Sequence, residues 1–582
     1  MNTAALRPMN QAWANAWISA AIIAEIVEQG VKLAVLSPGS RNTPLALALA
    51  DCPQVEVKVV LDERSAGFFA LGVARASQRP VVLACTSGSA LANYYPAVVE
   101  AFHSEIPLVL LTADRPSELQ GRGAPQTMKQ PGFFGSFAKV CMAIDAPEPE
   151  APVNLDRLSD LGFAIRTART APQGPVHVNC GFRKPLWDPQ TERQVIKVPK
   201  RDYEQIIRDT TEQMTDAFVD LVARSTKGVF VCGPDAFKSS GDASKLYELA
   251  DGLGWPVLAE ASSGARYGHS HSSLFTHYDA AFRTPHAIPE PDCIVRFGRA
   301  CTSQWLANWI RDCEHAAWIV IHDGQTCVDP ERHHDHYFEV SPAILVDKVV
   351  ARRFRTAADP DWLSQWTQLE TTCQSALDRD DLDLFWEGSV ASICVEHQPN
   401  GSAIHVANSM PIRDLDAFGG RTESELTIFV NRGLNGIDGT IATAVGEQVG
   451  LADARLLLLV GDLAFRHDAN SLALCRDTKL TIVVNDNGGG QIFRFLPISE
   501  HKRVFEELFL TPSKIEVEAL CRGYGLRCTI VETNDELKTA LANEQDKSDS
   551  GVIIARIDPE LNYKQHHAMW QRVRDQLAES SP

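Results

Sequence analysis

Three doubly wound α/β domains on parallel sheets, the first and third alike, are the fold class this sequence predicts. Short apolar runs alternate with helix-patterned segments along most of the chain, which is how parallel strands with crossover helices read. Those runs end in glycine-rich or polar turns, the edge at which open α/β sheets bind ligands. The order of elements in the first ~190 residues recurs in the last ~190, and a period of that length is a duplicated domain rather than a solenoid. At 582 residues the chain exceeds what one hydrophobic core serves. The expected domains are 1–190, 200–355 and 390–582, separated by the linkers DPQTERQVIKVPKRD and DRDDLDLFWEG.

In the first domain, a helix-patterned Asn15–Glu28 precedes the apolar Leu33–Leu36, which ends in SPGSRNTP. There follow a strand at Val55–Leu61, a helix at Glu63–Ala76, a strand at Pro80–Cys85, a helix at Ser89–His103 and a strand at Leu108–Leu111. SPGSRN, TSGS and TADRP close the three inner strands. In the middle domain, strands at Val229–Cys232, Trp255–Leu258, Ile294–Phe297 and Trp318–Ile321 end in GPDA, AEASSGARYG, GRACTS and HDGQ. The third domain reads as a helix at Ile404–Leu415, a strand at Leu426–Val430 ending in NRGLNG, and a helix at Gly439–Leu451. A strand at Leu456–Val460, a helix at Ala469–Cys475 and a strand at Thr481–Val484 follow. The two outer domains align SPGSRN with NRGLNG, DERSAGFFALGVARA with GIDGTIATAVGEQVG, and TSGSALANYY with GDLAFRHDANS.

The most informative stretch is VGDLAFRHDANSLALCRDTKLTIVVNDNGGGQIF, 460–493. One apolar run ends in Gly461-Asp462 and the next in Asn485-Asp486-Asn487 and three glycines, so a carboxylate and an amide share one sheet edge with a glycine turn. Such oxygen donors suit a hard divalent cation holding a diphosphate, and glycine lets backbone approach phosphate closely. Asp462 and Asn487 stand 25 positions apart, and Asn485 offers an alternative register. Glu63 opens a helix, where the macrodipole favours a carboxylate whatever its role. Arg41, Arg115, Arg413 and Arg432 all lie at or next to strand ends. Each alone reads as a surface ion pair, but four planar forks converging on one cleft would suit carboxylate-rich ligands.

Composition narrows the classes. A net charge of −19 with no basic run argues against nucleic acid as a partner. The 14 cysteines show no CxxC pair and sit mostly in apolar runs, which reads as reduced thiols in a cytoplasmic protein. No apolar run is long enough for a membrane span, and the first residues lack the order of a targeting segment. GxGxxG and Walker A sequences are absent, so NAD and ATP lack their usual signatures. The histidine-rich ERHHDHYFE, Glu331–Glu339, lacks metal-binding spacing.

The Gly-Asp…Asn-Gly-Gly-Gly pattern resembles the metal–diphosphate motif of the thiamine-diphosphate decarboxylase and carboligase superfamily. Within it, SPGSRNTPLALAL, DERSAGFFALG, TSGSALANYYPAVVEA, LTADRP followed by Gln126, NRGLNGIDG, and NDNGGGQIF followed by LP resemble a family of synthases of menaquinone biosynthesis. The resemblance covers most of the first and third domains and implies the thiamine-diphosphate-binding fold. The first domain would then bind the aminopyrimidine and the third the diphosphate and metal. It implies Mg²⁺, with Mn²⁺ as a substitute, held by Asp462, Asn487 and the Gly489 carbonyl beside Gly461. Glu63 would hydrogen-bond the aminopyrimidine and promote the proton loss that activates the cofactor. Ile437 would support the bent cofactor, and Ile492 and Phe493 would form an apolar wall.

The implied reaction is decarboxylation of 2-oxoglutarate and 1,4-addition of the succinic-semialdehyde carbanion to isochorismate. By position, Ser40, Arg41, Arg115, Gln126, Ser409 and Arg413 would contact the carboxylates and hydroxyl of substrates, with Arg432 and Arg41 near the reacting centre. The resemblance further implies a homodimer or dimer of dimers with active sites at the subunit interface. One departure is the middle-domain segment GRACTSQWLANW, with Gln304 and Trp305 where that family usually carries a basic residue; Arg299 is the nearest cation. The alternatives are another 2-oxoacid carboligase of acetolactate-synthase type, or a non-catalytic binding protein that has kept the fold. Retention of Glu63, Asp462 and Asn487 argues against the latter.

Overall fold

The computed structural model describes residues 10–149, 156–191, 211–324, 328–331, 334–354, 359–377, 384–451 and 454–580. Parts of both expected linkers, together with Arg332 and His333 of the histidine-rich run, lie outside them. The described chain carries three six-stranded sheets, and every strand pairing is parallel.

The first sheet holds β1 (Leu33–Leu36), β2 (Glu56–Val59), β3 (Val81–Cys85), β4 (Leu108–Asp114), β5 (Val140–Ile144) and β6 (Val176–Gly181), in the order β2-β1-β3-β4-β6-β5. The middle sheet holds β7 (Gly228–Cys232), β8 (Val257–Ala259), β9 (Leu274–Phe275), β10 (Cys293–Phe297), β11 (Ala317–His322) and β12 (His336–Glu339), in the order β12-β11-β10-β7-β8-β9. The third holds β13 (Ala403–Val406), β14 (Thr427–Phe429), β15 (Leu456–Gly461), β16 (Leu480–Asp486), β17 (Arg527–Val531) and β18 (Gly551–Arg556), in the order β14-β13-β15-β16-β18-β17. The first and third orders are one permutation, so the duplication read from the sequence is topological. Inner strands such as β3, β4 and β15 are buried along nearly their whole length. Helices cover both faces of such sheets, which is why these strands read as unbroken apolar runs.

The order also corrects one alignment. β13 occupies the place of β1, so the turn equivalent to SPGSRN is the one at Ala407–Met410, not NRGLNG. The helix expected over Ile404–Leu415 is instead β13 followed by a helix at Met410–Phe418. Ile404 and Val406 belong to one buried core, and β-branched residues of that kind favour a pleated, buried surface over a helix start. The expected Ser89–His103 helix is two, Ser89–Asn93 and Tyr95–His103, broken where Pro96 enters the second.

Contacts divide the chain into two compact units. The first comprises the first sheet with residues 431–453 and 468–478; the second comprises the middle and third sheets. Within the first unit, the Glu63–Ser77 helix packs along the Thr440–Gly450 helix. Glycine makes this approach possible: a Cβ on Gly72 would lie 2.0 Å from the Thr443 carbonyl oxygen, and one on Gly446 2.1 Å from that of Phe69.

Candidate active site

The first unit carries one group of expected residues. Asp62 caps the Glu63–Ser77 helix, its carboxylate accepting from Ser65 N and Oγ and from Asn470 Nδ2. Arg64 reaches the buried Asp468 at 3.4 Å, and Ser65 Oγ meets Ser471 Oγ at 2.9 Å. Asp468 in turn receives Ile441 N and Ala442 N, capping the neighbouring Thr440–Gly450 helix; burial pushes its carboxyl up from the ordinary range. Glu63 is half-buried, and its carboxylate makes no hydrogen bond to the described residues. Ile437 sits on the same helix entry, its carbonyl accepting from Thr440 Oγ1. Arg432 lies in the NRGLNG turn, whose Gly433 and Leu434 N–H groups both donate to Glu100.

Arg41 and Arg115 come together at the ends of β1 and β4. Arg41 donates to the Phe182 carbonyl at 2.7 Å, and Arg115 Nη1 donates to Ser87 Oγ. Burial and then the charge of Arg115 lower the Arg41 pKa, and two guanidiniums held this close favour an anion between them. Gln126, at φ 56°, exchanges hydrogen bonds with Ser87, and Ser40 is exposed beside them.

The second unit carries the expected metal residues. Asp462 follows β15 and is 2% exposed. Arg466, one helical turn on, donates to Asp462 Oδ2 at 2.5 Å and to Asp486 Oδ1 at 3.4 Å. Burial pushes the Asp462 carboxyl up, against the pull of Arg466. The structure therefore joins Asp462 to Asp486 rather than to Asn487, the residue expected from spacing. Asn487 faces inward: its Nδ2 donates to Glu387 Oε1 at 2.6 Å and its Oδ1 accepts from Gly489 N. The reason is strand alternation, which sends neighbours at the end of β16 to opposite faces. Gly489, at φ 124°, has its carbonyl engaged by Gln491 N at 2.8 Å.

Asn485 is fully buried, paired in register with Gly461, and neither atom of its amide has a partner among the described residues. A Cβ on Gly461 or Gly488 would meet nothing within 4 Å, so both turns present bare backbone. Two carboxylates sharing one guanidinium, an unbonded buried amide and open glycine turns fit a hard cation with a diphosphate.

Behind Asn487 lies a buried cluster that sequence reading missed. Glu387 accepts from Asn487 and Asn562, and His566 bonds Asp414 at 2.7 Å. Burial, then the charge of Asp414, pushes Glu387 up to about 7. Its only signal in the sequence was an acidic residue beside aromatics at the end of a linker. Ser409 holds φ 77° at the entry to Met410–Phe418, a strained position for serine, and accepts Arg413 Nη1 on its carbonyl. Arg413 and Ile492 line a cavity of about 1140 Å³ that also includes Gln304 and Trp305. Phe493 packs on Phe509 instead. Of the histidine-rich run, Glu331 is taken by Arg296 and His334 by Asp329.

Comparison with known proteins agrees with this geometry. The family of thiamine pyrophosphate enzymes matches in three parts: the N-terminal TPP binding domain over residues 16–133, the middle domain over 199–406 and the C-terminal TPP binding domain over 419–555. The 2-succinyl-5-enolpyruvyl-6-hydroxy-3-cyclohexene-1-carboxylate synthase of Geobacillus kaustophilus is 37% identical, covering 96% of this chain and 98% of its own. That of Listeria monocytogenes is 36% identical over 96% and 97%. A benzoylformate decarboxylase from Polynucleobacter necessarius superposes with a TM-score of 0.71 at 16% identity, over 93% of this chain and 98% of that one, which speaks to the fold. The chain is thus a member of the thiamine pyrophosphate enzymes and, within them, of the 2-succinyl-5-enolpyruvyl-6-hydroxy-3-cyclohexene-1-carboxylate synthase family. Among the described residues no helix is long and apolar enough to cross a membrane.

Proposed function

We propose that this chain decarboxylates 2-oxoglutarate and adds the four-carbon product to isochorismate in a conjugate fashion, as a cytoplasmic enzyme of menaquinone biosynthesis. The observation that carries this reading is the arginine-lined cavity of the second unit, where Arg283, Arg413, Arg494 and Arg574 face one space. An acetolactate-type enzyme acting on a monocarboxylate would have little use for it.

Thiamine diphosphate, when bound, supplies the nucleophilic carbon and the electron sink for loss of CO₂. The chain's own groups do the rest. Glu63 holds a proton at the aminopyrimidine ring nitrogen, a task that needs a carboxyl with no competing partner. Asp462 would hold Mg²⁺ or Mn²⁺ where Arg466 bridges it to Asp486, with Asn487 and the Gly489 carbonyl as the other expected ligands and the Gly461 and Gly488 backbone against the diphosphate. Asn487 fixes that loop through Glu387. Ile437 would support the bound cofactor, and Ile492 and Phe493 would form an apolar wall, Phe493 packing on Phe509. Ser40, Arg41, Arg115, Gln126, Ser409 and Arg413 bind substrate carboxylates and hydroxyl, and Arg432 stands by the reacting atoms. Residues 1–190 are the aminopyrimidine domain, 200–355 the middle domain and 390–582 the diphosphate domain. The working form is a homodimer or a dimer of dimers, with each site shared between subunits.

The test is CO₂ release from 2-oxoglutarate by purified protein with Mg²⁺ and thiamine diphosphate, with and without isochorismate. The reading expects release that requires the cofactor and rises strongly with isochorismate. Release from pyruvate, and none from 2-oxoglutarate, would move the chain to another carboligase activity.

A further inference from the structure

We infer that Arg283 anchors a carboxylate of the cyclic acceptor substrate, an inference that rests on the synthase reading and deepens it. Arg283 lines the same cavity as Arg413 and Ile492. Its side chain is 16% exposed, and burial lowers its pKa. Three contacts hold the guanidinium. Nε and Nη2 both donate to Asp279 Oδ2, at 3.3 and 3.0 Å. The guanidinium carbon lies 3.5 Å from the Trp570 ring centroid and 5.1 Å from that of Trp305. Asp279 is itself fixed, its Oδ1 accepting from Ser303 Oγ at 2.7 Å. Ser303 caps the Gln304–Asp312 helix that carries Trp305.

The planar fork thus stacks on the Trp570 ring, stands beside that of Trp305 and has one edge on a carboxylate. Its remaining edge, Nη1, makes no hydrogen bond to the described residues. A guanidinium stacked on aromatic faces is pre-organised, so little freedom is lost when it takes a second carboxylate. Besides Asp279, the acids lining the cavity are Asp414, Asp416 and Glu500, set against the cations Arg413, Arg494 and Arg574. Asp414 is engaged by His566, and Asp416 by Arg266 and Tyr278. Arg574 stands close enough to depress Arg283 further, and His567 lines the same wall.

The indole walls decide which substrate is held. A short open-chain dicarboxylate gains little from them, whereas a ring-bearing carboxylate can stack on Trp305 with its charge on Nη1. Arg299, the nearer cation in sequence to Gln304, is 3.7 Å from Asp235 and is not among the residues lining this cavity. Arg283 reaches the position from a different element.

Arg283→Gln and Arg283→Lys, made in the full chain with Mg²⁺ and thiamine diphosphate, test this. Loss of a charge-assisted hydrogen bond predicts a rise in KM for isochorismate of about tenfold to a hundredfold for Gln, and a smaller rise for Lys. KM for 2-oxoglutarate and Kd for thiamine diphosphate stay within about twofold. Quenching of tryptophan fluorescence by isochorismate alone weakens in parallel. An unchanged isochorismate KM and quench, or an equal loss for both substrates, in protein that melts like wild type would overturn the assignment. If the Gln variant fails to fold, the Lys variant, which keeps a cation beside Asp279, decides by the same readings. Wild type that releases no CO₂ from 2-oxoglutarate would sink the synthase reading instead. The quench titration would then still report on whether Arg283 holds a cyclic carboxylate.

Discussion

Replacing Arg466 by Met separates the guanidinium from the cation it stands in for. Arg466 is 14% exposed and holds Asp462, whose side chain is 2% exposed, with a second and longer contact to Asp486. Breaking a buried pair by removing one partner costs about 3–5 kcal/mol, and the open glycine turns beside this one put it at the lower end, about 3 kcal/mol. At about 2 °C per kcal/mol for a large domain, the metal-free variant should melt about 6 °C below wild type. Mg²⁺ with thiamine diphosphate should restore most of that loss, because a divalent cation supplies the missing charge and binds only the folded site. The same argument requires tighter metal binding. Each ~1.4 kcal/mol of guanidinium–carboxylate contact no longer surrendered lowers the apparent Kd about tenfold. Thermal unfolding with and without metal, and Mn²⁺ titration followed by electron paramagnetic resonance, read the two effects separately. A metal-free variant that melts like wild type and binds Mn²⁺ no more tightly would refute the idea that Arg466 occupies the cation's place.

Three further outcomes follow from the same contacts. Glu63→Gln should keep thiamine diphosphate bound but slow turnover by about two to four orders of magnitude, as loss of an acid–base group does; unchanged turnover removes Glu63 from the mechanism. Glu387 is raised from an ordinary value near 4.5 to about 7, so the folded chain holds a proton there that the unfolded chain has released. Stability should therefore fall as pH rises from about 4.5 to 7, and Glu387→Gln should flatten that slope in urea titrations at pH 5 and pH 8; parallel slopes would remove Glu387 as the cause. Gly72→Ala forces a methyl to 2.0 Å from the Thr443 carbonyl and should cost about 1–3 kcal/mol by overpacking. A wild-type melting temperature in that variant would show that the two helices can part without penalty.

What the sequence disclosed, and what it hid, follows from the range of each interaction. Buried parallel strands announce themselves as apolar runs, so β1, β3, β10 and β15 begin or end within a residue or two of expectation. The rule has exceptions on both sides: the edge strands β2 and β14 were read, whereas the buried β6 and β18 were not, nor were β5 and β17, which alternate exposed with half-buried residues, or β12, whose ends are exposed. β13 reads equally well as the start of an amphipathic helix, and only its neighbours β14 and β15 make it a strand. Asp462 was visible because a Gly-Asp turn at a strand end is local. Its link to Asp486 through Arg466 was not, because a shift of one residue at the end of β16 changes which face a side chain takes. Spacing pointed to Asn487, whereas the side chain that shares the Arg466 guanidinium with Asp462 is Asp486. Glu387, Asp468 and Arg283 were hidden for a different reason: each acts through a residue distant in the chain.

Position is what the structure invests in at Glu63. The residues on either side of it are tied down: Asp62 to Asn470, Arg64 to Asp468 and Ser65 to Ser471. All three tethers end on one short turn, and that turn also caps the Thr440–Gly450 helix through Asp468. The two duplicated helices are thus registered twice, once by hydrogen bonds at their entries and once by glycine against backbone along their length. Arg75 adds a third tie, bonding Asn431 and Glu447 from the far end of its helix. Only the Glu63 carboxylate is left without a bond to the described residues. A side chain serving the fold would share those contacts; one meant to meet a ligand must be held by its neighbours and kept free itself. Duplication supplied the paired helices, and divergence at one helix entry left a carboxylate whose place is fixed by everything except its own oxygens.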